Sequence, residues 1–239
     1  MSSDITSERI RRASRKLFAR RGVNGVSVRE VVAEAGARNN GSIHYYFGSK
    51  DALVKELVME GARAIDEYRR RALDGLEAGV AAPDLRAIMA ILVDSMLDEA
   101  DERLEGYARF LAGVRLNQRH LANNPLEGRW SAGTRRCYAH LRRLLPGFPE
   151  AMLLQRFTIS QAHIVAALAE RDAVQELAAL HDATAEVQES AQWWGSRIAV
   201  DDVIDTAVAL MVTPTRPGAP LSQAGLGAAS ARARTGGAQ

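Results

Sequence analysis

The chain has 239 residues, 47% of them hydrophobic, with a single cysteine and a formal net charge of +2. That length can bury a substantial core; one cysteine excludes an internal disulfide framework, and no run approaches the 18 apolar residues of a membrane span. The charge is unevenly placed: Met1 to Lys50 holds ten Lys and Arg against four Asp and Glu, about +6, which leaves about −4 for the remainder.

The first segment is thus a basic module, the kind of surface that attracts phosphates without regard to sequence. Residues 5–21 place Ile10, Ala13, Leu17 and Phe18 at helical spacing with the arginines on the other faces, and Gly22 supplies a left-handed cap. Ser27 with Glu30 three residues on is a capping box, so a second helix opens there, buries Val28, Val31, Val32 and Ala35, and ends at Gly36. A third short helix follows, capped by Asn39 or Asn40. Ile43, Tyr46 and Phe47 are spaced to reach inward, and Ser42, His44 and Tyr45 are left outside. An exposed set of Asn, Ser, His and Tyr does little to stabilise so short a helix but suits base edges and phosphate oxygens. The pattern reads as a helix-turn-helix, with Lys50 and the helix start after Ser49 placed to meet a phosphate.

These residues resemble the DNA-binding region of the TetR family of bacterial transcriptional regulators. The likeness runs from Ile10 to Leu57: a helix ending RRG, a helix opening SVREV, AG at the turn, the cluster IHYYF, then GSKDALV. The resemblance implies a double-stranded DNA operator as partner and a homodimer. It puts Arg29 and Ser42 at base edges or groove rims, Ser27, Tyr45, Tyr46 and Lys50 on phosphates, and His44 where an aromatic usually contacts base or backbone. Asn40 joins this set with less weight, because Gly36 to Phe47 is one residue longer than the usual family spacing and the excess falls in the turn near Arg38.

From Lys50 the apolar period continues through Leu53, Leu57, Ile65 and Leu73 to Leu76, predicting a long connecting helix closed by Gly79 and Pro83. Further helices are expected near 83–99, 103–121, 127–145, 149–180 and 200–212, with no strand alternation. The fold class is therefore all-α: a three-helix DNA-binding domain over 1–50, a helical ligand-binding and dimerisation bundle over 51–212, and a disordered Pro/Gly/Ala/Ser-rich tail over 213–239.

Within the bundle, Met89, Met96, Phe110, Trp130, Cys137 and Phe157 are candidates to line a pocket for an unidentified small-molecule effector, although the same residues at helical spacing can simply fill a core. Leu153, Leu154, Phe157, Ala162, Val165 and Ala166 form one apolar stripe, and Val203, Ala207, Val208 and Met211 another. Either a two-fold dimer interface or packing within one chain accounts for them. Trp193 and Trp194 fall in a polar stretch between the last two helices, where at least one is expected to pack beneath a loop or on a partner.

Asp201, Asp202 and Asp205 spell the DDxxD spacing with which helical prenyl and terpene synthases hold magnesium, but no second acidic cluster faces them and aromatics make up only 5% of the chain. Cys137 and His140 are two potential ligands without a third, and read as a buried thiol beside a surface imidazole. No metal or cofactor and no enzyme activity is expected. The lone thiol and the missing apolar leader core suggest a cytoplasmic protein with no membrane partner. The sequence thus reads as a ligand-responsive dimeric regulator, with a constitutive DNA binder lacking a cavity as the alternative.

Overall fold

A computed structural model describes residues 2–37, 41–80, 82–98, 100–118, 120–121 and 132–214, with helices and no strand among them. Helices α1 (Ser2–Arg21), α2 (Val28–Glu34) and α3 (Ser42–Phe47) form an N-terminal head. Helix α4 (Lys50–Glu77) runs from that head into a body of α5 (Leu85–Asp94), α6 (Tyr107–Asn117), α7 (Ala132–Leu144), α8 (Glu150–Ala178), α9 (Ala185–Gly195) and α10 (Arg197–Val212). A 3-10 turn, Glu102–Leu104, precedes α6. Trp130, Arg38, Asn39, Asn40 and residues 215–239 of the expected tail lie outside the described residues.

Helix starts follow the short polar residues that can satisfy free amides. Ser49 accepts from Ala52 N at 3.0 Å, Asp84 from Ala87 N at 2.7 Å and Ser196 from Ala199 N at 3.2 Å. The expected helix at 83–99 stops at Asp94, and the one at 103–121 divides into the 3-10 turn and α6, because Gly106 takes a left-handed φ of +66° between them. Helix α9 was not expected at all. Its polar sequence hides a start capped by Thr184, and the two tryptophans leave it on different faces, Trp194 against the core and Trp193 55% exposed.

One hydrophobic core runs from head to body. In the head it gathers Ile10, Phe18, Val31 and Ile43; along α4 it takes Leu53, Leu57 and Leu73; in the body Ile88, Leu92, Phe110 and Leu141. The Phe18 and Phe110 rings stack at 6.3 Å, joining α1 to α6 across the boundary between the two parts. Next to this contact Tyr107 is buried and donates its hydroxyl to Val58 O at 2.9 Å, fastening α6 to α4. The close approach depends on Gly61, where a Cβ would sit 2.1 Å from Tyr107 Cε2.

A Gly61→Ala substitution tests that packing. On a free helix surface it would add about 1 kcal/mol of helix propensity, but here the methyl meets a buried ring, and overpacking costs about 1–3 kcal/mol. Urea denaturation is expected to show a net loss of stability, whereas a gain would mean that the ring moves aside freely.

Candidate nucleic-acid interface

The capping box at the start of α2 has both of its bonds: Ser27 N donates to Glu30 Oε2 at 2.7 Å, and Glu30 N donates to Ser27 Oγ at 3.3 Å. The Ser27 hydroxyl also donates to Glu30 Oε2, and Arg21 closes on Oε1 at 2.7 Å. These bonds, those from Ser27 first, hold the Glu30 carboxyl down to about 2. Helix α2 ends at Gly36, which needs glycine twice over. Its φ is +58°, and a Cβ would lie 2.3 Å from Nη2 of Arg9. The short α3 then presents Ile43 inward at 2% exposure, with Tyr46 and Phe47 partly buried against the same core.

The outward surface of α3 carries His44 and Tyr45. Tyr45 is 79% exposed, and its ring meets Tyr46 edge-on at 4.9 Å. His44 Nδ1 lies 2.7 Å from Gly48 O, so the proton sits on Nδ1 and Nε2 faces no protein partner among the described residues. Arg29 is exposed on α2 and makes no ion pair among the described residues. Ser42 is half-buried and Tyr46 shares its ring with the core, while Asn40 is outside the described residues. Of the expected readers, Arg29 on α2 and His44 and Tyr45 on α3 are therefore exposed, and Ser42 at the start of α3 is half-buried.

Two expectations about charge need correction. Lys50 was expected on a phosphate, but its ammonium donates to Val23 O and Val26 O, each at 2.5 Å, and sits 5.7 Å from the Phe18 ring centroid. Partial burial pulls its pKa down. The side chain closes the loop between α1 and α2. The arginines of α1, expected on open faces, instead meet acids of the body. Arg12 reaches Glu102 and Glu105, Lys16 Glu105 at 3.0 Å, Arg20 Glu176 at 2.8 Å and Arg11 Glu56 at 2.8 Å. Arg15 is only 2% exposed and donates to Glu60 Oε2 at 2.9 Å and Glu102 O at 2.7 Å. Burial, opposed by Arg15, pushes the Glu60 carboxyl up. The missed signal was positional: Arg15 stands three residues before Phe18, on the buried side of α1.

In the body, a cavity of about 200 Å³ lies between α4, α6, α7, α8 and the segment around Met96. Of the residues expected to line a pocket, Met96 does so here. Phe110 is stacked between Phe18 and Tyr107, Phe157 meets the Tyr138 ring at 5.3 Å, and Met89 and Cys137 are fully buried in the core. Burial pushes the Cys137 thiol up to about 11, and His140 is buried with Nε2 at 2.8 Å from Glu77, not at the surface as expected. The cavity's polar lining, including Arg69, Arg115, Thr134 and Gln161, carries no apolar period by which sequence could reveal it.

The stripe expected at a dimer interface divides. Leu153, Phe157, Val165, Val203, Ala207 and Met211 are buried within the single chain, as the alternative of packing within one chain expects. Leu154, Ala162 and Ala166 face outward, and Val208 is half-buried. Two of the three DDxxD carboxylates meet guanidinium groups: Arg86 donates to Asp205 at 2.8 Å and Asp201 at 3.0 Å, and Arg197 to Asp201 at 3.1 Å. These pairs tie α5 to α10. No helix of the described residues is long and apolar enough to cross a membrane.

A capped two-turn helix, a glycine turn and a short helix with exposed Tyr and His define a helix-turn-helix DNA-binding protein. Residues 10–57 match the family described as bacterial regulatory proteins, tetR family. The match spans the head and the start of α4, so the head resembles the DNA-binding region of that family. Among solved structures, a TetR-family regulator from Mesorhizobium loti shares 16% identity over 88% of this chain and 96% of its own, with a TM-score of 0.47. PfmR, a TetR-family regulator from Thermus thermophilus, shares 16% over 87% and 99%, with a TM-score of 0.41. A search of curated proteins finds no match.

Substituting Lys50 by Met separates its two roles. Orphaning two carbonyls is expected to lower stability by about 1–3 kcal/mol while the slope of log affinity against log salt stays unchanged. A slope reduced by about 1 at unchanged stability would restore the phosphate contact.

Proposed function

We propose that the chain is a homodimeric, ligand-responsive transcriptional repressor in the cytoplasm. Each copy lays α3 in the major groove of one half of a pseudo-palindromic operator, with half-site centres roughly 34–36 Å apart or a multiple of that. Residues 1–50 form the reading domain, 51–212 the ligand and dimer domain, and 213–239 a tail. The observation that carries this reading is the 79% exposure of Tyr45 beside His44 on a helix of six residues. A large aromatic side chain has no reason to stand in water there unless it meets a partner. Arg29, Ser42, His44 and Tyr45 contact bases or groove rims, and Tyr46 and Ser27 flank the backbone.

The exposed Leu154, Ile159, Ala162 and Ala166 on α8 support a second copy as the cover of that face, with α10 alongside, where His163 bridges to Thr206 at 2.8 Å. Small residues let two such faces approach closely under a two-fold axis. The cavity favours ligand response over a constitutive binder, because it lies between the two helices that reach the head. Helix α4 begins at the head and passes the cavity at Ala62, Ile65 and Arg69; α6 passes it at Tyr107 and Leu111 and meets α1 through Phe110. A molecule that binds better to a wider cavity shifts α4 against α6, and thereby the separation of the two heads.

Titrating operator duplex against the protein should give an affinity that falls linearly on a log–log salt plot, and Tyr45→Phe should weaken binding about equally on every sequence. Salt-independent binding would remove the groove-reading claim. For the dimer, Leu154→Asp should give a monomer by sedimentation and lower operator affinity by about a hundredfold or more; a Leu154→Asp dimer of unchanged affinity would rule out this face.

A further inference from the structure

The cavity is unusual in the charge of its lining. Its apolar wall is made by Ile65, Met96, Leu111 and Val165, but two guanidinium groups, Arg69 and Arg115, open onto it, and among the described residues no carboxylate does. Arg69 is buried and its hydrogen bonds go to neutral acceptors: Ser95 Oγ at 2.9 Å, Thr134 Oγ1 at 2.7 Å and Leu92 O at 3.3 Å. Asp66, one turn before it on α4, is already bound to Gly133 N at 2.7 Å and to Arg70 at 3.1 Å. Arg115 makes no ion pair or hydrogen bond among the described residues. On the same wall the Gln161 side-chain nitrogen is buried without an acceptor.

A buried cation without a counter-charge is costly, and so is a buried donor without an acceptor. Burial depresses both guanidinium groups, Arg69 to about 10. Arg69, Arg115 and Gln161 all line this one cavity, and each brings donors to it; the Asp66 carboxylate acts on Arg69 from outside the lining. The large cleft between head and body is different: Asp98, Asp101, Glu102 and Asp172 face it, and its arginines already have partners.

We propose that the cavity binds a small organic monoanion, a carboxylate on an apolar body about the size of a benzene ring. The inference rests on the ligand-responsive reading above and gives its effector a chemical class. The carboxylate accepts from the Arg115 guanidinium and the Gln161 amide, Arg69 supplies the positive field from the α4 side, and the apolar body lies against Ile65, Leu111 and Val165. Size agrees, since a cavity of about 150 Å³ accommodates benzene and this one has about 200 Å³. A neutral molecule of the same shape would leave both donor groups unpaired and lose most of its affinity.

The test uses the full chain with benzoate and its neutral counterpart benzyl alcohol, followed by calorimetry and thermal unfolding. Benzoate should bind and raise the melting temperature with concentration, and benzyl alcohol at equal concentration should not. Arg115→Gln should lower benzoate affinity about tenfold or more, the loss expected for a charged hydrogen bond, with the circular dichroism of the wild type. Should that variant fail to fold, Leu111→Trp fills the cavity from its apolar wall and should block benzoate without touching a charge. Equal binding of the alcohol, unchanged affinity in Arg115→Gln, or no benzoate binding overturns the assignment. Operator release is a separate readout. Benzoate bound without release upholds the carboxylate and overturns the ligand-responsive reading; release by a neutral amphiphile with no benzoate binding does the reverse.

Discussion

The contact on which the two parts of this protein depend is the buried guanidinium of Arg15, set between Glu60 of α4 and the Glu102 carbonyl. It ties the first helix of the head to the connecting helix and to the turn before α6. Around it, Arg12, Lys16 and Arg20 repeat the arrangement at the surface. Surface pairs of this kind contribute little singly, but a buried pair that loses one partner leaves an uncompensated charge, at a cost of about 3–5 kcal/mol. Arg15 therefore fixes the head's orientation more firmly than the number of visible ion pairs suggests.

With that junction fixed, the body reaches the head through two rigid links. Helix α4 is continuous from Lys50 to Glu77, and Lys50 itself holds the α1–α2 loop. Helix α6 presses Phe110 on Phe18 while Tyr107 binds it to α4. The Phe110 and Tyr107 contacts meet beside the cavity, so a change in its width is felt by both links at once. The coupling proposed above needs no long pathway, because one close-packed junction separates the cavity from α1.

Much of the fold was legible because local chemistry dictated it. The Ser27–Glu30 box, the Gly36 turn and the period of α4 are statements about neighbouring residues, and the structure has each where the sequence placed it. Helix α9 escaped because its polar composition suppresses the apolar period that reveals a helix. The larger errors concerned charge. Lys50 reads as a phosphate contact and Arg15 only as one more cation of a basic segment because sequence gives the sign of a side chain but not its partner, and Glu60 lies 45 residues from Arg15. The inner stripe of α8 was ambiguous for the same reason: whether Phe157 packs on its own chain or another is a long-range fact. The cavity was sought among Met and aromatic residues, whereas its distinctive groups are polar.

The pairing of α1 with the body has a consequence for how DNA is held. A head that looks strongly basic in sequence has most of that charge neutralised inside its own chain, leaving Arg9 and Arg29, with Lys55 at the start of α4, as exposed cations without ion pairs among the described residues. So small a number gives a single head little hold on nonspecific DNA. In the proposed dimer useful affinity then comes from tethering: once one head is seated, the other is held at a high effective concentration over its half-site, and that gain exists only while the distance between heads matches the DNA. Sparse free charge thus makes occupancy respond steeply to geometry, since there is little residual electrostatic grip to retain a mismatched dimer.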